Sequence, residues 1–344
     1  MRKLQITAIG EPADVLQLVE FQAPAPGPGQ VLVEVEAATI NASDFLYISG
    51  QYFITPQPPS DVGGRRRRPG LAVGPGENES LVGARVLLLP TYRHGTWATH
   101  LIAATTDIVV VPDDIDTVQL AMVGINPMTA LLMLRNYGDP SMNDRWIGQT
   151  AGNSAVGEYL IKLARRFGWK TMSVVRREAA AEQVRSWGGD RVVIDDDNLE
   201  SNLAQSLSGT ELDIVVDSVG GRAARQLVHH LRFGGTLVSY AALSGQSASV
   251  SVLELIGRHV NWTGFWLINW LRRTDTAVVH STYRESGGRW SPTARSAHAS
   301  TAPCGWRTGR TPVSLSQGDT GREGKVVFLF DEATLVTNPF VVGA

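Results

Sequence analysis

The sequence predicts an α/β protein of two domains, an antiparallel, barrel-like β domain and a doubly wound parallel sheet. The chain has 344 residues, and roughly 100 to 200 residues make one domain. Up to about Pro112 it consists of short alternating or apolar runs separated by Pro, Gly and Asn, a spacing typical of antiparallel strands. From about Thr117 short strands alternate with helical stretches, an order that builds a parallel sheet covered by helices.

The β domain is predicted from four runs near the N-terminus and one near the C-terminus. The first four are LQITAI, QVLVEVEAATI, ARVLLLP and DIVVVP. The fifth is KVVFLFD, a strand that would have to return to the first domain. We therefore expect a discontinuous β domain, residues 1–118 and 259–344, with a nucleotide-type domain inserted at 119–258.

The inserted domain is predicted from its alternating elements. QLAMVGINPMTALLML has apolar residues at helical spacing. RWIGQTAG then leads through a glycine-rich turn into the amphipathic stretch SAVGEYLIKLARRFG. The buried strands KTMSVVRR, DRVVIDD, LDIVVDSVG and GGTLVSYAA follow, separated by helical stretches that include EAAAEQVRSWG and GRAARQLVHHLRFG.

Composition narrows the function. The chain is 43% hydrophobic and 19% charged with a formal net charge of −2, so no global field favours nucleic acid or an anionic membrane. The single cysteine, Cys304, excludes a disulfide framework, an all-cysteine metal cage and a CxxC redox pair. No run approaches the roughly 20 apolar residues of a membrane span. MRKLQITAIGEP alternates like a strand from its start, which argues against a signal or transit peptide, so we expect a cytoplasmic protein.

TAGNSAVG, at Thr150–Gly157, predicts a dinucleotide site. It lies between a strand and a helix, and its small residues let the backbone approach a pyrophosphate, whose charge the helix N-terminus then meets. An NAD enzyme would carry an acid at the end of the next strand, where this chain has Arg176 and Arg177. Two guanidinium groups match a 2′-phosphate, so the pair favours NADPH. The alternative is that the pair merely caps a strand on a solvated surface.

Four further segments carry a family resemblance: INASDFLYISGQY at Ile40–Tyr52, GTWATHL, NPMTALLML and GFWLINW. Together with the glycine-rich loop they resemble the medium-chain dehydrogenase/reductase superfamily, and within it the zinc-free 2-enoyl thioester reductases of the mitochondrial type and their bacterial relatives. The resemblance implies a GroES-like β-barrel catalytic domain, a Rossmann domain and NADPH as cofactor. It also implies enoyl thioesters of coenzyme A or acyl carrier protein as substrates, and a homodimer.

The sequence lacks the zinc ligands of other members of this superfamily. Zinc alcohol dehydrogenases carry a ligand cysteine where Asn41 stands and a four-cysteine structural lobe, and a chain with Cys304 alone can form neither. The histidines show no HxxxH pairing, so no metal ligand is assigned. Hydride transfer to an already electrophilic substrate remains, and an α,β-unsaturated thioester is such a substrate. The enolate that forms needs hydrogen bonds at oxygen and a proton at the α carbon.

The resemblance also implies the site residues. Tyr52 aligns with the family's catalytic tyrosine, a phenol that binds or protonates the enolate, and Tyr47 on the same segment is its nearest competitor. Phe265 and Trp266 could equally be core aromatics. The residues implied for NADPH are Asn126, Asn153, Ser154, Ala155, Val156, Arg176, Arg177, Tyr240, Ala241, Ala242, Leu243, Phe265, Trp266, Leu267, Ile268 and Lys325.

Three other functions stay open at this point. An NADPH:quinone oxidoreductase of the same superfamily also needs no metal. An inactive NADPH-binding protein would bind the cofactor and turn over neither substrate. Arg65–Arg68 could form a nucleic-acid or anion patch, which predicts strongly salt-dependent binding.

Two stretches, Gly63–Gly70 and Arg284–Pro312, do not fit the rest of the chain. The first is GGRRRRPG, and the second contains no Val, Ile, Leu, Met or Phe. The family has a glycine-rich segment at the first stretch, and codons for GRRRRPG can be read in another frame as GEGVGRV. The second stretch shifts in the same way into an apolar-patterned sequence. We therefore expect two locally compensated frameshifts, in the gene or in its reading.

Overall fold

The computed structural model describes residues 1–62, 70–289, 327–329 and 341–343. The chain forms two compact units, one of Met1–Ile125 with Trp270–Ala344 and the other of Asn126–Asn269. Three of the predicted features, namely Lys325, Cys304 and Arg65–Arg68, lie outside the described residues.

The secondary structure follows the chain in this order. The strands are β1 (Arg2–Ile6), β2 (Leu16–Glu20), β3 (Gln30–Glu34), β4 (Ala37–Thr39), β5 (Ser60–Asp61), β6 (Gly70–Val73), β7 (Val86–Leu88), β8 (His100–Ala104), β9 (Ile108–Val110), β10 (Trp146–Thr150), β11 (Lys170–Val175), β12 (Arg191–Ile194), β13 (Leu212–Asp217), β14 (Leu231–Ser239), β15 (Asn261–Gly264), β16 (Val327–Leu329) and β17 (Val341–Gly343). The helices are α1 (Pro12–Val15), α2 (Ala42–Ile48), α3 (Thr117–Val123), α4 (Asn126–Tyr137), α5 (Ala155–Arg166), α6 (Glu178–Ser186), α7 (Leu199–Leu207), α8 (Gly221–Val228), α9 (Val252–Gly257), α10 (Leu267–Arg273) and α11 (Thr276–Arg289), with single 3-10 turns at Glu79–Leu81 and Thr105–Asp107.

The first unit consists of small antiparallel sheets around one apolar core. β1 lies between β2 and β5, β3 lies between β6 and β8, β7 pairs with β9, and β16 lies between β4 and β17. Trp97 and Phe328 are fully buried in this core, with ring centroids 5.2 Å apart. Phe328 belongs to KVVFLFD and pairs with Ala38 of β4, so this strand lies in the first unit.

The second unit contains the predicted doubly wound sheet. All six strands are parallel, in the order β12-β11-β10-β13-β14-β15. Leu203 of α7, Leu227 of α8 and Val215 of β13 belong to one buried cluster, because helices and strands bury their apolar faces against each other. The strand order reverses between β10 and β13, the position at which α/β proteins open a crevice for ligands.

Two predicted helices are wrong in extent. GRAARQLVHHLRFG is helical only over Gly221–Val228, because Leu231 already belongs to β14 and pairs with Leu212 of β13. QLAMVGINPMTALLML forms two consecutive helices, α3 and α4, instead of one. Gly124 lies between them, and its carbonyl oxygen accepts a hydrogen bond from the Tyr283 hydroxyl at 2.8 Å.

The unit boundaries lie after Ile125 and Asn269, whereas the sequence suggested 118 and 258. α3 belongs to the first unit because its Ala121 is buried against Ala37 of β4. β15 belongs to the second unit because it pairs with β14. No single helix among the described residues has the length and apolar composition of a membrane span, and α3 and α4 meet that criterion only when taken together as a bent pair.

Part of the second unusual stretch is helical. Arg284–Arg289 form the end of α11, where Ser286 is buried and its hydroxyl donates to the carbonyl oxygen of Thr282 at 2.7 Å. Residues 63–69 and 290–312 lie outside the described ranges. The frameshift hypothesis therefore stays a prediction.

Candidate functional site

Most of the predicted cofactor residues follow strands of the parallel sheet directly. Asn153–Val156 follow β10, Arg176 and Arg177 follow β11, Tyr240–Leu243 follow β14, and Phe265–Ile268 follow β15. The carboxyl ends of parallel strands lie at one edge of a sheet, which is where α/β proteins bind ligands. The second unit therefore brings these four loops to its carboxyl edge.

The turn between β10 and α5 requires glycine at two positions. A Cβ on Gly152 would lie 2.6 Å from the Cβ of Ser173, and a Cβ on Gly157 would lie 2.4 Å from the carbonyl oxygen of Gly152. The turn and the first helical turn therefore pack backbone against backbone. A helix N-terminus that presents main-chain N–H groups without intervening side chains is suited to a pyrophosphate.

Ser154 is the N-cap of α5. Its hydroxyl accepts a hydrogen bond from the N–H of Gly157 at 3.1 Å, and its own N–H donates to the carbonyl oxygen of Ala151 at 2.8 Å. The side chain thus fixes the point at which the helix starts.

Replacing Ser154 with alanine is expected to lower the free energy of unfolding by about 1 kcal/mol, because it removes the acceptor for the N–H of Gly157. Urea denaturation followed by circular dichroism measures the change. Ser186→Ala is the matched control: this exposed hydroxyl donates to the carbonyl oxygen of Gln183 at the other end of a helix, so we expect a change within about 0.5 kcal/mol. Equal losses in the two variants would contradict the capping role.

Asp217, which sequence analysis did not single out, connects the ends of β10 and β13. Its buried Oδ1 accepts from the Thr150 hydroxyl at 2.7 Å and from the N–H groups of Val219 and Gly220, both at 3.0 Å. The Thr150 hydroxyl in turn accepts from the N–H of Ser218 at 2.9 Å. The sequence signal for this role is an aspartate between an apolar strand and the turn residues SVGG. An aspartate in such a position commonly accepts a hydrogen bond from the backbone N–H two residues later.

Tyr240 connects the loop after β14 with the loop after β10. Its N–H donates to the carbonyl oxygen of Asp217 at 2.9 Å, and its phenol lies beside the hydroxyls of Ser218 and Ser154. Burial raises the pKa of this phenol, and these two hydroxyls offset part of that rise. Tyr240 is therefore a neutral phenol beside the N-cap of α5.

Arg176 and Arg177 are both exposed at the end of β11. The acid that follows them, Glu178, is paired with Arg185 at 2.6 Å. β11 is the direct neighbour of β10 in the sheet, so the arginines and the glycine turn belong to adjacent loops. Exposed guanidinium groups in this position match the geometry of a phosphate monoester.

The other predicted residues differ in accessibility. The side chains of Ala241, Ala242 and Leu243 are exposed, that of Trp266 is half-buried, and those of Phe265, Leu267 and Ile268 are buried. The buried ring of Phe265 packs like a core aromatic. Asn126 is also buried, and it begins α4 instead of following a strand of the sheet.

Tyr52 follows α2 in the first unit and is half-buried. The centroid of its ring lies 5.4 Å from that of Tyr92 and 5.5 Å from that of Phe53. Tyr47, within α2, is buried instead. Burial raises the pKa of its phenol, and the neighbouring Ser60 hydroxyl offsets part of the rise. Of the two candidate tyrosines, Tyr52 is the more accessible to a ligand.

The carboxyl edge of the second unit fits a dinucleotide with a 2′-phosphate. Its glycine turn brings the backbone closely past the start of α5, and exposed arginines follow the neighbouring strand. The buried Oε1 of Gln149, at the end of β10, has no hydrogen-bond partner among the described residues, which leaves an acceptor for a ligand. Among all the residues that the structure describes, no group of three or more His, Cys, Asp or Glu side chains is arranged to bind a metal ion.

Known proteins resemble this chain in sequence and in fold. The sequence profile of the zinc-binding dehydrogenase family matches residues 155–281. The chain is 32% identical over 285 residues to the mitochondrial enoyl-[acyl-carrier-protein] reductase of Xenopus tropicalis, an alignment that covers 80% of this chain and 81% of that relative.

Two solved structures are similar in fold. One is a Bacillus thuringiensis protein provisionally assigned as an NADPH:quinone reductase, with a TM-score of 0.84, 23% identity, and coverage of 96% of this chain and 99% of the other. The second is Etr1p in complex with NADP and crotonyl-CoA, with a TM-score of 0.77, 22% identity, and coverage of 91% and 94%. At these identities the two structures establish the fold alone.

Proposed function

Because this chain belongs to the enoyl-[acyl-carrier-protein] reductase family within the zinc-binding dehydrogenase group, we propose that it is an NADPH-dependent reductase of 2-enoyl thioesters. It reduces the C2=C3 double bond of an acyl group carried on coenzyme A or acyl carrier protein. The similarity to enoyl-[acyl-carrier-protein] reductase supports the substrate class. The glycine turn at the start of α5, together with the exposed Arg176 and Arg177 one strand away, supports the cofactor.

The residues that would hold NADPH come from the loops at the carboxyl edge. Ser154 and its neighbours in the glycine turn would bind the pyrophosphate, and Arg176 and Arg177 would bind the 2′-phosphate. The chemistry that the cofactor supplies when bound is a hydride for C3 of the substrate. The proposed set further includes Asn126, Asn153, Ala155, Val156, Tyr240, Ala241, Ala242, Leu243, Phe265, Trp266, Leu267, Ile268 and Lys325.

Tyr52 would act on the substrate oxygen. When C3 gains a hydride, electron density moves to the thioester oxygen and C2, and the resulting enolate is stabilised by a hydrogen-bond donor at that oxygen. The hydroxyl of a half-buried tyrosine is such a donor. One hydride at C3 and one proton at C2 complete the saturated thioester. Tyr52 would lower the barrier by stabilising the negative charge of the enolate that exists between these two steps.

NADPH oxidation measured side by side with crotonyl-CoA and with a simple quinone tests this proposal. We expect oxidation of NADPH with crotonyl-CoA and formation of butanoyl-CoA in equal amount. Turnover with the quinone alone would replace the proposal with the quinone oxidoreductase function. Binding of NADPH without turnover of either compound would instead favour an inactive binding protein.

We also propose that two copies of the chain form a homodimer through β15. This strand is the last in the sheet order, and among the described residues it pairs only with β14. An unpaired edge is a template for another strand, and a twofold axis would pair it with its own copy. Trp262 on β15 is 47% exposed, and Leu253 and Ile256 on the preceding helix are 79% and 69% exposed, which is the apolar surface such a contact would bury.

Trp262→Arg is expected to shift the protein from dimer to monomer, because it places a charge in the apolar contact. Sedimentation equilibrium measures the mass. Met142→Arg is the matched control, since Met142 is a similarly exposed apolar residue on another part of the second unit and should leave the mass unchanged. A wild-type monomer, or a Trp262→Arg dimer as stable as the wild type, would exclude β15 as the interface.

A further inference from the structure

The loop between β7 and β8 places a third tyrosine, Tyr92, against Tyr52. Tyr92 has a φ of 58°, a left-handed backbone conformation that bulky residues rarely adopt. Such a conformation is unfavourable and persists only where the surrounding structure fixes it. The contacts of its neighbours and of its side chain show what fixes it.

The residues beside Tyr92 are tied to one buried carboxylate. Asp107 is only 1% exposed. Its Oδ1 lies 2.5 Å from the Arg93 guanidinium, and its Oδ2 lies 2.7 Å from His94 Nε2. The same Oδ2 accepts a hydrogen bond from the Thr91 hydroxyl at 3.1 Å. Three hydrogen bonds to one buried carboxylate fix the side chains of Thr91, Arg93 and His94, so the chain on both sides of Tyr92 is held in place.

The side chain of Tyr92 points into a cluster of tyrosines. Its ring centroid lies 5.0 Å from that of Tyr47 and 5.4 Å from that of Tyr52. Its hydroxyl lies 3.5 Å from Oδ1 of Asp44, whose side chain is fully buried. The other oxygen of Asp44 accepts from the N–H of Asn41 at 2.7 Å, so this carboxylate is fixed at the start of α2.

We propose that Tyr92 is a positioning residue that holds the phenol of Tyr52 in the orientation needed for catalysis. The inference rests on the proposed function, because it requires that Tyr52 acts on the substrate. Tyr52 follows α2 and is only half-buried, so its side chain needs a neighbour to limit its rotation. Tyr92 is suited to this because the side chains of its neighbours are bound to Asp107 and its hydroxyl is directed at Asp44, whereas Phe53, another ring beside Tyr52, is 79% exposed.

Positioning by a fixed neighbour has a large effect on rate, because a displacement of about 1 Å at a reacting group can cost roughly a hundredfold. Tyr92→Asn removes the ring, and asparagine tolerates the left-handed backbone, so the variant should still fold. We expect its kcat with crotonyl-CoA to fall about tenfold to a hundredfold, with the Kd for NADPH unchanged. Tyr92→Phe keeps the ring and is expected to retain most of kcat.

Three further measurements separate positioning from a general loss of structure. In a Tyr52→Phe background, Tyr92→Asn should have little additional effect on kcat, because residues that act through one another are not additive. In the protein without cofactor, the rate at which tetranitromethane nitrates Tyr52, followed by peptide mapping, should rise in Tyr92→Asn because one face of the ring is uncovered. The melting temperatures of both Tyr92 variants report on folding.

The outcomes distinguish the two proposals. A wild-type protein that does not reduce crotonyl-CoA would overturn the proposed function, and the nitration rate would still test the contact between Tyr92 and Tyr52. An active wild type with an equally active Tyr92→Asn, or full additivity of the two substitutions, would overturn the positioning role. So would an unchanged nitration rate.

Discussion

Replacing Tyr52 with phenylalanine is expected to lower kcat for the reduction of crotonyl-CoA by about a hundredfold to ten-thousandfold. The substitution keeps the ring and its contacts with Tyr92 and Phe53, and removes only the hydroxyl that would stabilise the enolate. The Kd for NADPH should not change, because the proposed cofactor residues belong to other loops. Steady-state kinetics and a fluorescence titration with NADPH measure these two quantities.

Tyr47→Phe is the matched control for this prediction. It removes a phenol hydroxyl from the same segment, but Tyr47 is buried beside Ser60. We expect kcat within about threefold of the wild type and a loss of stability of about 1 kcal/mol, the ordinary cost of a single buried substitution. A larger loss of kcat in Tyr47→Phe than in Tyr52→Phe would show that Tyr47, and not Tyr52, is the catalytic tyrosine.

Removing both arginines at the end of β11 is expected to weaken NADPH binding by about a hundredfold or more, because each charge-assisted hydrogen bond contributes about 1.5 to 3 kcal/mol. NADH has no 2′-phosphate, so the Kd for NADH should stay nearly the same in Arg176→Ala/Arg177→Ala. The wild-type preference for NADPH should also fall as salt is added, since both side chains are exposed and screening acts on exposed charges. Titrations with the two cofactors at several ionic strengths measure both effects.

The control for this double variant removes two arginines from the opposite end of α5. Arg165 and Arg166 lie in the last turn of that helix, away from its N-terminus, and their replacement by alanine should leave both dissociation constants unchanged. If the double variant at Arg176 and Arg177 binds NADPH and NADH with equally reduced affinity, the pair supports the loop generally and does not recognise the 2′-phosphate.

The fold could be predicted largely from local pattern. Strands β10 to β13 are short apolar runs with helices between them, and a parallel sheet follows from that order alone. The errors arose where a long-range partner decided the outcome. Leu231 reads as part of a helix, yet it pairs with Leu212 of β13. The carbonyl oxygen of Gly124, in the break between α3 and α4, accepts a hydrogen bond from Tyr283, which is distant in the chain.

The candidate site could be predicted in part. The glycine turn and the arginines are local in sequence, so their spacing indicates their role. Asp217 and Tyr92 were missed because their roles depend on residues distant in the chain. Asp217 accepts a hydrogen bond from the hydroxyl of Thr150, and Tyr92, in the loop between β7 and β8, contacts Tyr52, which follows α2. Tyr52 is half-buried and Tyr47 is buried, and this difference could not be predicted from the sequence.

Deuterium transfer from NADPH labelled at both C4 positions to crotonyl-CoA tests enoyl thioester reduction most directly. Mass spectrometry of the product should show butanoyl-CoA with one deuterium at C3, in an amount equal to the NADPH oxidised, and the C2 proton should come from solvent. Oxidation of NADPH without a saturated thioester, or a thioester without deuterium at C3, would contradict the proposed reaction.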